Sequence, residues 1–315
     1  MPLPDVRTLE EYRAIYHEEA LWRPAIDDIC ARHGLSGAAC HRGPDGTHLV
    51  YYAGPSYVVK LFVPLFEHDF VAECLVAGHL EGRLGVVTPT VVYQGEIAGW
   101  RYLVMTRVPG CPLREVWPGV RGANRQAIAR TIGEMIARLR SISVEGVRDL
   151  AVDWPAFLAR QTATAAERQC GGELPEGLVV QIPAYLEATA VHLSERFEPV
   201  LLLADITDEH VLVSKDGGPW RVVGYVDFGD AFVGHPDYEL VAPGLVIARG
   251  EGQLLRALLL GAGYSESDLN EELRHRLMAC TLVHQYVKLK DLMAAFPEAR
   301  RATGLEELAR VLWPV

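Results

Sequence analysis

The stretch that decides the fold is residues 199–240, PVLLLADITDEHVLVSKDGGPWRVVGYVDFGDAFVGHPDYEL. Short apolar runs alternate here with polar segments, which predicts three strands joined by loops, at 201–203, 211–213 and 222–226. The Asp-Gly-Gly sequence at 216–218 predicts a hairpin turn between the last two strands. Asp205 then opens a loop, His210 closes it, and Asp227 ends the hairpin. Because a hairpin folds back on itself, we expect these three polar groups to converge.

Phosphoryl transfer uses such an arrangement, in which one carboxylate orients the attacking hydroxyl and a second holds magnesium on the nucleotide phosphates. The stretch resembles the catalytic loop and metal-binding segment of kinases, in the form used by the aminoglycoside phosphotransferase family. The resemblance implies that Asp205 is the catalytic base and that Asp227 binds the metal. It also implies ATP or GTP as co-substrate and Mg²⁺ as the metal.

The stretch departs from the family pattern at two positions. Leu203 stands where the family has a mostly structural His, and His210 stands where it has a metal-binding Asn. Macrolide kinases of the same superfamily also have His at the second position. Imidazole nitrogen is a softer donor than an amide oxygen, so we expect His210 to bind or flank a metal and Mn²⁺ to support activity well. The alternative is that His210 only hydrogen-bonds the loop backbone.

Length, composition and net charge limit the classes of protein to which this chain can belong. The chain has 315 residues, half of them hydrophobic, which is enough for two lobes with packed cores. No apolar run reaches the ~18 residues of a membrane span, and the N-terminus lacks a signal-peptide pattern. The six cysteines are scattered without a CxxC pair, which favours a reduced, cytoplasmic setting. A net charge of −11 disfavours nucleic acid and membrane partners and suits a cationic small substrate.

The N-terminal part predicts a helical extension followed by a sheet. Residues 8–33 have helical periodicity, and Thr8 with Glu11 forms a capping box. Residues 36–63 predict a β-meander whose first turn contains Gly43 and Gly46. By the resemblance this turn covers the nucleotide phosphates. The alternative is an ordinary hairpin turn, since no full GxGxxG is present.

Lys60 lies in an otherwise apolar predicted strand, where an unpaired ammonium would be costly to bury. Kinases pair such a lysine with a glutamate of the next helix, and Glu73 lies inside the helix predicted at 66–80. We therefore expect a Lys60–Glu73 ion pair at the nucleotide phosphates. The alternative is that Lys60 points outward from an edge strand.

The sequence WRYLVMTRVPG at 100–110 resembles the hinge of the family. The resemblance implies that the backbone of this segment holds the nucleotide base, through Met105, Thr106, Arg107 and Val108. Two further strands are expected here, around a turn at Gly95–Gly99.

The second part of the chain is predicted to be mainly helical. Residues 124–142 predict a helix with one apolar stripe and with Asn124 as its N-cap. Further helices are predicted at 150–196, where a Gly/Pro-rich loop at 171–175 interrupts them, and at 251–315. The predicted fold is α+β, a bilobal kinase-like fold of the aminoglycoside phosphotransferase type. We expect a β-rich lobe at 1–108, including the extension at 8–33, and a helical lobe at 109–315.

The resemblance implies a small-molecule kinase that phosphorylates a hydroxyl of an aminoglycoside-type antibiotic and so confers resistance. The C-terminal sequence GLEELARVLW at 304–313 loosely resembles hygromycin B 7″-kinases. Acidic residues near the loop are candidate substrate ligands: Asp208, Glu209 and Asp230. The alternative is that Asp208, Glu209, Asp237 and Glu239 form a solvated rim, and Asp237 and Glu239 could also be structural residues. Alternatives are a macrolide or other small-molecule kinase, or a pseudokinase that only binds nucleotide; a protein kinase is disfavoured because no Ala-Pro-Glu segment follows Asp227.

Overall fold

A computed structural model describes residues 3–170, 176–189 and 191–315 of the chain. Internal contacts divide the chain into two compact units, and neither corresponds to one continuous segment. The first unit consists of Met1–Gly82, Val87–Pro109 and Tyr225–Asp230, and the second of Arg83–Val86, Gly110–Gly224 and Ala231–Val315. The segment that carries Asp227 therefore packs with the first unit.

The first unit is a five-stranded antiparallel sheet with three helices. The elements of this unit are α1 Leu9–Ile15, α2 Glu19–Arg32, β1 Cys40–Arg42, β2 Leu49–Ala53, β3 Tyr57–Leu61, α3 Glu67–Leu80, β4 Val91–Ile97 and β5 Trp100–Thr106. The sheet has the order β1-β2-β3-β5-β4, so β3 is its central strand. A short 3₁₀ turn, Pro64–Phe66, precedes α3.

Local sequence explains most of these boundaries. The predicted capping box is present, since Thr8 accepts from the Glu11 N–H and Glu11 bonds back to the Thr8 backbone. The extension at 8–33 is helical as predicted and consists of two helices, separated where Glu18 leaves helical geometry with φ of −77° and ψ of 77°. The break is stabilised by the buried Trp22, whose indole N–H donates to the Tyr16 carbonyl at 3.0 Å. Trp22 also packs against Trp100, which joins α2 to the sheet.

Two predicted strand ends differ in the structure. The first strand spans only Cys40–Arg42 instead of beginning near residue 36. Gly95 lies within β4 rather than in the turn, which is made by Ala98 and Gly99. Both turn residues have positive φ, at 49° and 82°, the geometry of a tight hairpin.

The second unit is mainly helical and carries two small sheets of orders β6-β8-β9 and β10-β7. Its strands are β6 Cys111–Pro112, β7 Val200–Leu202, β8 Val211–Ser214, β9 Arg221–Tyr225, whose last residue groups with the first unit, and β10 Phe232–Gly234. Its helices are α4 Leu113–Val116, α5 Ala123–Ser141, α6 Trp154–Gln169, α7 Glu176–Thr189, α8 Val191–Ser194, α9 Val241–Pro243, α10 Gly252–Gly261, α11 Glu271–Val283, α12 Leu289–Ala295 and α13 Leu305–Leu312. A π-helical turn, Gly244–Ala248, separates α9 from α10. The Gly/Pro-rich loop predicted at 171–175 lies outside the described residues.

The predicted cap of α5 is wrong. The helix begins at Ala123 after Gly122, and no side chain caps it. Asn124 instead donates to the Trp220 carbonyl at 2.8 Å and accepts from the Trp220 N–H at 3.0 Å. Its amide therefore joins α5 to the chain just before β9, a tertiary contact that no local sequence rule detects.

Among the described residues, no helix is both long enough and apolar enough to cross a membrane. All six cysteines are free thiols.

Candidate active site

Lys60 is the centre of a buried charged cluster in the first unit. It lies on the central strand and is 4% exposed, so the edge-strand alternative is wrong. Its Nζ is 2.9 Å from Glu73 Oε2 of α3 and 2.9 Å from Asp227 Oδ1. Glu73 also accepts from the Phe228 N–H at 3.1 Å. One ammonium thus joins α3 to the segment that carries Asp227. The predicted Lys60–Glu73 pair is present, and the contact with Asp227 is additional.

Protonation in this cluster follows from burial and charge. Burial disfavours the charged form of Lys60, but the Asp227 and Glu73 carboxylates outweigh it and raise its pKa. Burial, aided by the neighbouring Asp227 carboxylate, raises the pKa of Glu73 to about 7 against the opposing effect of Lys60. Two carboxyl groups therefore share one lysine ammonium, and Glu73, with a pKa near 7, is only partly ionised at neutral pH.

Asp227 has a backbone conformation that is uncommon for an L-residue, with φ of 73°. Its Oδ1 accepts from the Gly229 N–H at 3.2 Å, a turn that helps an aspartate adopt the left-handed region. About two fifths of its side chain is exposed, in contrast to the fully buried Glu73. Asp227 therefore presents a carboxylate to solvent, held in place by Lys60 and its own turn.

In the second unit, the loop after β7 carries Asp205. The residue before it, Ala204, has φ of 63°, which a non-glycine residue rarely adopts. Glu239 holds this turn, because its Oε2 accepts from the Leu203 N–H at 2.9 Å and from the Ala204 N–H at 3.2 Å. We infer that Glu239 fixes the direction in which Asp205 leaves the strand.

Glu239 is only 1% exposed and Asp237 is 6% exposed, so these two do not belong to a solvated rim, and their burial fits the alternative that they are structural. Burial raises the pKa of Glu239 to about 7, although the two backbone N–H groups oppose that rise. Asp237 is ion-paired with Arg276 at 2.9 Å and accepts from the Tyr264 hydroxyl. Both acidic residues are structural rather than surface charges, and Glu239 bonds the loop that carries Asp205. Sequence analysis missed the role of Glu239 because its partners are backbone groups.

His210 faces the loop through one of its ring nitrogens. Its Nδ1 is 2.9 Å from the Asp205 carbonyl, 3.2 Å from Asp205 Oδ2 and 3.2 Å from Thr207 Oγ1. Donation from Nδ1 to the carbonyl places the lone pair of the neutral ring on Nε2. Metal-bound histidines in proteins have the same arrangement, in which the other ring nitrogen donates to a carbonyl or carboxylate. The loop bond expected from the alternative is thus present, and it is compatible with metal binding through Nε2.

The donors present fit a hard divalent cation. The described residues contain no cluster of three or more His, Cys, Asp or Glu side chains that could enclose a metal. Mg²⁺ is usually held by one or two protein ligands together with substrate phosphates, and the partly exposed carboxylate of Asp227 is a ligand of the type it prefers. When bound, the ion would neutralise developing charge on the phosphates.

Two backbone amides of the predicted hinge already donate to other backbone carbonyl groups of the protein. The Thr106 N–H donates to the Thr90 carbonyl at 2.9 Å, and the Arg107 N–H donates to the Ser56 carbonyl at 2.8 Å. Met105 pairs with Val58 within the sheet. Those amides of Thr106 and Arg107 are not available to a base, so a contact at this segment would use Val108 or carbonyl groups.

The turn between β1 and β2 also bonds within the protein. The Gly43 N–H donates to the Val50 carbonyl at 2.8 Å, and the Gly46 N–H donates to the Tyr16 hydroxyl at 2.9 Å. Neither amide is therefore directed to a phosphate in this structure, and the phosphate-covering role of the two glycines stays a prediction.

The predicted substrate residues have different surroundings. Glu209 is exposed and ion-paired with Arg114, which neutralises its charge. Asp208 is half-buried, and burial raises the pKa of its carboxyl group. Asp230 belongs to the first unit, unlike the other two.

Residues 42–276, well over half of the chain, match the phosphotransferase enzyme family. The chain belongs to this family, which confirms the prediction made from the catalytic-loop pattern.

Individual proteins similar to this chain have low sequence identity to it. Viomycin phosphotransferase of Streptomyces vinaceus is 27% identical over 197 residues, which cover 60% of this chain and 66%, just under two thirds, of that protein. The solved structure of an aminoglycoside 2′-phosphotransferase-IIIa mutant with GDP has a TM-score of 0.70 at 19% identity and covers 92% of this chain and 94% of its own. The macrolide 2′-phosphotransferase of Brachybacterium faecium has a TM-score of 0.59 at 21% identity, with coverage of 92% and 98%. These likenesses confirm the bilobal, kinase-like α+β fold.

Proposed function

We propose that this protein transfers the terminal phosphate of ATP or GTP to a hydroxyl of an aminoglycoside-type antibiotic, including hygromycin-like compounds, with Mg²⁺ as the metal. The observation that carries the proposal is Lys60 held at 2.9 Å from both Glu73 and Asp227. A lysine buried on a central strand and shared by two carboxyl groups suits a phosphate site better than a purely structural one, because the Asp227 carboxylate beside it stays partly exposed to solvent.

Each residue has a defined part in the reaction. Asp205 accepts the proton of the acceptor hydroxyl, whose oxygen forms a bond to the terminal phosphorus while the bond to the nucleoside diphosphate breaks. Lys60 binds phosphate oxygens, and Glu73 orients Lys60. Asp227 and His210 would hold the metal. Glu239 fixes the Ala204 turn that directs Asp205.

The test is a phosphotransfer screen with purified protein, ATP and GTP in parallel, and a panel of aminoglycosides that includes hygromycin B, with viomycin and a macrolide as other classes. We expect nucleotide-dependent phosphorylation of at least one aminoglycoside, detected by mass. If only the macrolide is phosphorylated, the substrate class is macrolides and not the proposed aminoglycosides. Metal-dependent nucleotide binding without transfer to any acceptor would favour the pseudokinase alternative.

A further inference from the structure

A second buried pair lies one helical turn from Glu73. His48, at the end of the β1–β2 loop, is 5% exposed, and Asp69 of α3 is 8% exposed. His48 Nε2 is 2.9 Å from Asp69 Oδ2. The Val63 N–H donates to His48 Nδ1 at 3.3 Å, which places the ring proton on Nε2 and makes the imidazole the donor to Asp69.

Asp69 also contacts the segment that follows Asp227. A Cβ placed on Gly229 would lie 3.3 Å from Asp69 Cβ, so the glycine and the aspartate are in close contact. Because Asp69 and Glu73 are four residues apart on α3, they project from the same face of that helix. One carboxylate bonds Lys60 and Phe228, and the other bonds His48 and packs on Gly229.

The β1–β2 loop is thus fixed at two points. His48 fixes its end to α3, and the Gly46 N–H donates to Tyr16 of the N-terminal extension at 2.9 Å. Burial lowers the pKa of His48 against the opposing effect of Asp69, so the ring is neutral at physiological pH and acts through geometry rather than charge.

We propose that His48 and Asp69 are positioning residues for nucleotide binding, which set the β1–β2 loop and the Asp227–Gly229 segment relative to Lys60. The proposal rests on the proposed function in assigning a nucleotide to Lys60 and Asp227. A pair that only stabilised the fold would change the unfolding temperature and leave nucleotide affinity unaltered. A positioning pair changes nucleotide affinity in protein that is still folded.

The experiment compares Asp69→Ala with Asp69→Asn. The asparagine carbonyl can still accept from His48 Nε2, so it should rescue the geometry, whereas alanine cannot. His68→Ala is the matched control, because the exposed His68 lies 2.7 Å from the other carboxylate oxygen, Asp69 Oδ1. Dissociation constants for ADP and GDP with Mg²⁺ are measured by calorimetry, with thermal unfolding recorded for every variant, and KM for nucleotide and acceptor is measured where transfer occurs.

We expect Asp69→Ala to weaken diphosphate binding about 10-fold or more. Residues that support the ligands of a metal site typically change metal affinity or activity by about 10–100-fold, and Asp69 supports the segment that carries Asp227. Asp69→Asn and His68→Ala should stay close to wild type, and the acceptor KM should change little. Unchanged binding in folded Asp69→Ala, or equal losses in Asp69→Ala and Asp69→Asn, would overturn the proposal. Should Asp69→Ala not fold, His48→Leu against His48→Gln supplies the same comparison.

Binding by calorimetry needs no acceptor, so the two proposals fail differently. If wild type binds the diphosphates but phosphorylates nothing, the proposed function fails and the His48–Asp69 proposal is still decided by the affinities. If wild type binds neither diphosphate, both are overturned.

Discussion

Two buried glutamates, one in each unit, reach a similar protonation state by different means. Burial raises the pKa of both Glu73 and Glu239 to about 7. Glu73 bonds a lysine and one backbone N–H, whereas Glu239 bonds two backbone N–H groups. The difference indicates that Glu73 positions the Lys60 ammonium, while Glu239 fixes the shape of the loop that carries Asp205.

The largest expected effect is on stability, from Glu239→Ala. The change leaves the Leu203 and Ala204 N–H groups buried without an acceptor, and each such loss costs about 1–3 kcal/mol. We expect the free energy of unfolding to fall by about 2–5 kcal/mol in urea titrations. Glu266→Ala, on the exposed surface of the same unit, is the control. A Glu239→Ala protein as stable as that control would mean that Glu239 does not hold the loop.

The next effect concerns pH. The pKa of Glu239 is raised from 4.5 to about 7 in the folded protein, so its contribution to stability is complete below about 4.5 and is lost as pH rises through about 7. Glu239→Gln keeps an oxygen acceptor but cannot titrate. Relative to this variant, wild type should lose at most about 3 kcal/mol of unfolding free energy between pH 5 and 8. Parallel curves for the two proteins across this range would contradict the assigned shift.

A smaller effect is expected on nucleotide affinity from Lys60→Met. Hydrogen bonds to charged groups contribute about 1.5–3 kcal/mol, so nucleotide binding should weaken about 10-fold or more. Lys290→Met, at an exposed position of α12, should bind like wild type. Equal nucleotide affinity in both variants would remove Lys60 from the phosphate site.

The smallest effect is expected for His210→Asn, which restores the family residue. The softer imidazole should favour Mn²⁺, so the ratio of activity with Mn²⁺ to that with Mg²⁺ should fall by a few-fold in the variant. An identical ratio in wild type and variant would restrict His210 to its bond with the Asp205 carbonyl.

The sequence predicted the parts of this site that have a recognisable local pattern. Lys60 stood out because a cation in an apolar strand needs a partner, and Glu73 was the central carboxylate of the following helix. The pairing is present in the structure, while the catalytic and binding roles remain proposals. Asp205 and Asp227 were predicted from their places at strand ends and from the resemblance to the kinase catalytic loop, and their roles stay predictions.

What the sequence did not reveal depends on backbone geometry and tertiary contact. The positive φ of Ala204 is a backbone property that no residue pattern indicates. Glu239 accepts from two backbone N–H groups, so no partner side chain in the sequence could have pointed to its role. Asn124 followed the rule for a helix cap but bonds Trp220, because a tertiary partner satisfies its amide fully. The loop amides of Gly43 and Gly46 are taken by Val50 and Tyr16, which a glycine pattern alone does not show.

The central claim is that Asp205 activates the acceptor hydroxyl while the Lys60 cluster holds the nucleotide. The most direct test is to measure, for Asp205→Asn, both the rate of phosphate transfer to the acceptor found in the screen and the dissociation constant for nucleotide. A positioned general base contributes about 10²–10⁴-fold, so transfer should fall on that scale while nucleotide affinity stays near that of wild type. Near-normal transfer by a folded Asp205→Asn protein would contradict the claim.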